Sequence, residues 1–166
     1  MSAMTVSPIR VEQMTAHEFA PFGDILDASG SPDMAINQGL CDRHHDRAKL
    51  DFGPGGRAGI SIFKAQPRSL PYVLEMMERH PDGCQAFIPM SEHPFLVIVA
   101  GDEEGKPGKP RAFLTNGQQG VNFHRNIWHG VLTPLAAPGL FAVVDRIGDT
   151  PNLEEYWFET QYVVNS

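Results

Sequence analysis

Glu78 and His80 stand two residues apart in a strand-like stretch, so on an extended backbone the carboxylate and the imidazole leave the same face. Pro81 and Gly83 then turn the chain, and Gln85 opens the next apolar run, from which its amide oxygen can return to the same pocket. A second segment, residues 117–130, sets His124 and His129 around a tight turn at Arg125-Asn126. Imidazole and carboxylate groups aimed at one point either ligate a metal ion or carry protons near neutral pH. The remaining histidines are less directed. His17 and His93 read as solvated, and the adjacent His44 and His45 face opposite ways on a strand, so one of them at most enters a pocket.

Such groups need a rigid frame, and the punctuation of the chain says which kind. Its 166 residues suit one domain with a real core, here expected over residues 1–166. The 16 glycines and 14 prolines are scattered and well above average usage, which argues against long helices. One helix start is visible: Thr15-Ala16-His17-Glu18 has the capping-box pattern, Phe19 and Phe22 share a face, and Pro21 and Gly23 end the helix quickly. Elsewhere short apolar or alternating runs lie between Gly, Pro, Asn and Asp: residues 58–66, 72–80, 85–90, 95–100, 111–115, 121–124, 128–132 and 140–145. These predict an all-β barrel or sandwich. Residues 101–110 read as a hairpin loop, while the tail at 153–164 fits either a helix turn or an edge strand.

A formal charge of −7 without any cluster of Lys and Arg excludes nucleic-acid and anionic-membrane roles. No apolar run is long enough to span a bilayer and the first residues lack a signal-peptide pattern, so a cytoplasmic protein is expected. Cys41 and Cys84 form no C-x-x-C pair and read as reduced thiols.

Two motifs carry a resemblance. Glu78-x-His80-x4-Gln85 is similar to the first cupin motif, H-x-H followed by E, with Glu and Gln at two of its ligand positions. His124-x-Asn126-x-x-His129 is similar to the second, P-x-G-x-x-H, with Asn126 replacing the turn glycine, a mild change because Asn also tolerates a left-handed backbone. Glu78-Arg79-His80-Pro81, residues 85–90, Thr115-Asn116-Gly117, Gly120-Val121-Asn122 and Trp128-His129, with residues 37–40 and 43–46 upstream, resemble the ureidoglycolate lyase family of bacterial allantoin breakdown.

The resemblance implies a cupin-type antiparallel, jelly-roll-like β-barrel with one or two short helices, acting as a homodimer that splits ureidoglycolate into glyoxylate and urea. It implies a divalent metal, nickel being the usual assignment, held by His80, Gln85 and His129, with Glu78 either a fourth ligand or the base. His124 is then the expected acid, with His129 also counted in the catalytic set. Arg43 and Lys64 are the expected partners of the substrate carboxylate, with His45 and Gln85 as further substrate contacts. Trp128 reads as core or pocket wall. Two other classes stay open: another metal-dependent cupin enzyme on a small hydroxy or oxo acid, including an ammonia-releasing ureidoglycolate hydrolase, and a non-enzymatic glyoxylate-binding sensor.

Overall fold

The computed structural model describes residue 3 and residues 5–166. In chain order the elements are β1 (Val6–Gln13), α1 (Ala16–Phe19), β2 (Gly23–Leu26), β3 (Met34–Ile36), β4 (Cys41–Arg43), β5 (Arg57–Ala65), β6 (Tyr72–Arg79), β7 (Gln85–Pro89) and β8 (Phe95–Ala100). There follow β9 (Asp102–Glu103), β10 (Lys106–Pro107), β11 (Arg111–Leu114), β12 (Gly120–Phe123), β13 (Trp128–His129), β14 (Thr133–Pro134), β15 (Gly139–Ile147) and β16 (Glu154–Asn165). The expected all-β architecture is what forms. Six strands close a ring in the order β11-β1-β16-β6-β13-β8 and back to β11, with β14 added beyond β8. A five-stranded sheet, β2-β12-β7-β15-β5, lies beside it.

This arrangement creates two apolar layers. Inside the ring pack Ile9, Leu74, Met77, Leu96, Ile98, Ala112, Trp128 and Val164. Between the ring and the five-stranded sheet pack Val97, Val99 and Phe113 against Phe87, Phe123, Phe141 and Val143, with Phe19 and Phe22 of the helix region sealing one end. β8 therefore contributes to both layers, odd residues to one and even residues to the other, which is why the run Phe95-Leu96-Val97-Ile98-Val99-Ala100 is apolar without alternation.

The structure departs from the sequence expectations in several places, adding the short strands β2, β3, β4 and β14 among others. β1 carries no strong strand signal and yet pairs parallel with both β11 and β16, so the barrel is not wholly antiparallel. Parallel neighbours must be joined by long crossovers, and here nearly the whole chain serves as that connection. The tail takes the strand alternative, but as an interior ring strand between β1 and β6 and not an edge, interrupted by a register shift between Trp157 and Tyr162. The run at 128–132 keeps only two paired residues before the chain leaves the ladder. Finally, the capping box is half made: Thr15 Oγ1 accepts the Glu18 N–H at 3.3 Å, but the Glu18 carboxylate turns to the Arg111 guanidinium at 2.6 Å. Among the described residues no helix is long and apolar enough to cross a membrane.

Candidate metal centre

The two motif segments meet because their strands are neighbours in the ring. Glu78 of β6 lies directly opposite His129 of β13, and His80 follows at the end of β6. A backbone bond from the Asn126 N–H to the His80 carbonyl, 2.9 Å, staples the second turn to the end of the first strand. Asn126 takes φ 66°, the left-handed conformation that its replacement of a glycine requires.

One ligand atom from each of Glu78, His80 and His129 lies within 4.8 Å of the others. The two imidazoles are fixed in the same way. His80 Nδ1 is 2.9 Å from the Asn152 carbonyl oxygen, and His129 Nδ1 is 2.9 Å from that of Gly130. A carbonyl only accepts, so each Nδ1 donates and each Nε2 keeps a lone pair. Both Nε2 atoms are buried and have no hydrogen-bond partner. His129 is fully buried and stacks on Phe123 at 4.3 Å, and burial, helped by the neighbouring His80, lowers its pKa to about 3. It is a neutral base at any working pH.

Glu78, half-buried, has its pKa raised by burial and by the Glu155 carboxylate opposite, with His80 pulling the other way. Its Oε1 is 3.9 Å from His80 Nε2. Unpaired buried acceptors are rare and costly, so two orphan imidazole nitrogens beside a half-buried carboxylate fit a group that supplies positive charge. An N,N,O donor set of this kind suits a divalent ion such as nickel or zinc.

Gln85 starts β7 and faces Asp145 of β15, to which its Nε2 donates at 3.1 Å. That bond leaves Oε1 free, and Oε1 is buried without a partner. His124 goes elsewhere: its Nε2 meets Asp24 Oδ2 at 3.0 Å. Asp24 also accepts from Asn122 Nδ2 and from the Lys49 N–H, and these bonds lower its pKa against the opposing effect of partial burial. Lys64 lies on β5 next to Phe63, whose ring packs on Phe87 of the inner layer, so the lysine is carried to the outer face of the sheet. Arg43 ends β4 and His45 follows it, both exposed on the small β3–β4 hairpin. Neither of them, nor Lys64, joins the three converging groups.

Several positions went unnamed at the level of sequence. Asn152 and Asp145 hold His80 and Gln85 from far along the chain, and only strand register could have named them. A cavity of about 350 Å³ has Glu78 on its wall, together with Arg68, Tyr72, Met76, Glu155 and Trp157.

Known proteins resemble this chain over nearly its whole length. The family model described as ureidoglycolate lyase matches residues 6–165. A ureidoglycolate lyase of Rhodobacter capsulatus is 60% identical over 148 residues, covering 89% of this chain and 92% of its own length. The ureidoglycolate lyase 2 of Rhizobium meliloti is 48% identical over 158 residues, 95% of this chain and 97% of its own. A ureidoglycolate lyase of Chelativorans is 49% identical, at 95% and 96% coverage.

Proposed function

The chain belongs to the ureidoglycolate lyase family, and from that premise we propose that it cleaves ureidoglycolate to glyoxylate and urea at the Glu78–His80–His129 centre. It is a lyase. The observation that carries the location is the pair of buried, partnerless Nε2 atoms facing the Glu78 carboxylate.

The substrate carries a hydroxyl, a carboxylate and a ureido nitrogen on one carbon. Cleavage removes the hydroxyl proton, turns the C–O bond into the aldehyde C=O, breaks the C–N bond and returns a proton to the departing nitrogen. No proton is gained or lost overall. His80 and His129, with the open Gln85 Oε1, would hold a divalent metal, nickel by family resemblance, which leaves Glu78 beside them free to act as the base. Such an ion supplies Lewis acidity that lowers the hydroxyl pKa and stabilises charge on oxygen. The Glu78 carboxylate, set between His80 and the cavity, is placed to take the hydroxyl proton and to hand it to the ureido nitrogen, so one group balances the reaction. His124, tied to Asp24, is not needed for that balance. Gln85, oriented by Asp145, would bind either the ion or the substrate through Oε1.

Incubating the protein with ureidoglycolate and measuring urea, ammonia and glyoxylate tests the reading. Urea and glyoxylate in equal amounts are expected. Ammonia in place of urea points to a hydrolase, and the absence of both products to a binding protein.

The homodimer expected from the resemblance has a face that suits it. On the outer side of the five-stranded sheet Ile62 of β5, Ala142 of β15 and Ile88 of β7 lie in one row, beside Ile60, which is 76% exposed. β5 is an edge strand with unpaired backbone groups, and edges of this kind are normally covered or blunted. No carboxylate interrupts the row, so two acidic copies can meet there without opposed carboxylates. The double substitution Ile60→Asp with Ile62→Asp is expected to convert a dimer to a monomer in analytical ultracentrifugation while the far-ultraviolet dichroism stays unchanged. A variant that sediments as the parent does removes this face as the interface.

A further inference from the structure

We propose that Arg68 is the residue that pairs with the substrate carboxylate, a role that rests on the lyase reading above but is carried by the cavity beside Glu78. That cavity, about 350 Å³, is lined by three carboxylates, Glu75, Glu78 and Glu155, and by a single cationic side chain, Arg68. Glu155 lies directly opposite Glu78 in the β6–β16 register, so one wall carries paired carboxylates. A small monoanionic acid entering here meets one attractive charge, the guanidinium. The charge pattern therefore orients it, carboxylate toward Arg68 and the carbon to be cleaved toward Glu78.

The arginine is placed for the task. Its backbone N–H donates to the Pro134 carbonyl at 2.8 Å, which anchors the residue between β5 and β6. Its guanidinium carbon lies 5.9 Å from the centre of the Tyr72 ring, which also lines the cavity, so the aromatic face holds the cation without consuming its N–H donors. Arg79, Arg111 and Arg125 are each committed to a carboxylate within 2.9 Å, whereas among the described residues no acid lies within ion-pair distance of Arg68. A planar fork with free donors is the geometry that binds a carboxylate in two contacts. Arg43 and Lys64, the cations that sequence reasoning nominated, do not line this cavity, and of the three converging groups it is Glu78 that does.

The test uses the metal-loaded protein and the variants Arg68→Ala, Arg68→Lys, Arg43→Ala and Lys64→Ala. For Arg68→Ala, KM for ureidoglycolate is expected to rise about 10-fold or more, the scale of one lost charge-assisted contact, with kcat within a few-fold of the parent. Arg68→Lys is expected to recover part of that loss. Glyoxylate affinity, measured by calorimetry, is expected to fall in parallel. An unchanged KM and glyoxylate affinity in Arg68→Ala overturns the proposal, as does a comparable loss appearing only in Arg43→Ala or Lys64→Ala. A parent protein that does not bind glyoxylate overturns it too. Failure of the lyase reading shows separately, as a parent that binds glyoxylate through Arg68 yet releases no urea.

Discussion

His80→Ala is expected to lose its bound metal and to release urea at least about a thousandfold more slowly than the parent, because the lost ligand removes the electrostatic help that the reaction takes from a cation. The variant should fold. His80 lies past the end of β6 and its side chain keeps 18% exposure, so truncation opens the site to water and leaves both apolar layers intact. His129→Ala is expected to be as inactive for two reasons at once. From its motif position alone this substitution promises an unaffected thermal transition, but the imidazole is fully buried and stacked on Phe123. Its removal leaves a cavity in the layer between ring and sheet, costing roughly 2–4 kcal/mol. For a domain of this size that lowers the melting temperature by about 5–15 °C. Metal content, urea release and melting curves for the two variants separate ligand loss from packing loss. A metal-replete, active His80→Ala removes the centre from consideration.

Chelation should act like a reversible version of the first substitution. Protein stripped of divalent ions is expected to lose urea release by a similar factor and to recover it when nickel is added back. The strand content is expected to stay unchanged, since no element depends on the Glu78, His80 and His129 side chains for its ladder bonds. A modest rise in melting temperature should accompany metal binding, as for any ligand of the native state alone. Full activity in thoroughly demetallated protein ends the metal reading.

The sequence exposed what depends on short-range periodicity. Glu78 and His80 were legible because a two-residue spacing on a strand is a statement about one face, and β8 was legible because six apolar residues between breakers have few alternatives. Asn126 was legible because its backbone conformation is a local matter. What distant segments supply was not. β1 alternates weakly and contains Pro8, and becomes a ring strand only through two parallel partners that begin at residues 111 and 154. Asn152 and Asp145 gain their roles from register across the sheets, which no window of neighbouring residues records. Arg68 escaped notice because it sits in a Pro-rich connection whose position depends on how β5 and β6 splay apart. For Lys64 a signal did exist: the alternation Phe63-Lys64, taken with Phe141 opposite, assigns the lysine outward once the sheet partner is known.

The ring that frames the centre is closed by strands far apart in sequence, β1 lying between β16 and β11. During synthesis the first strand therefore has neither of its neighbours, and it acquires the second only when residues 154–165 have left the ribosome. Closing so long a loop adds little to the entropy of folding, since that cost grows only with the logarithm of length, but it delays the last step. Until then Ile9, Val164 and the even-numbered residues of β8 are left with an open side, the kind of surface through which partly folded chains aggregate. That seam is remote in time from the chemistry and is held by backbone pairing, by Ile9 against Val164 and by the Arg111–Glu12 ion pair.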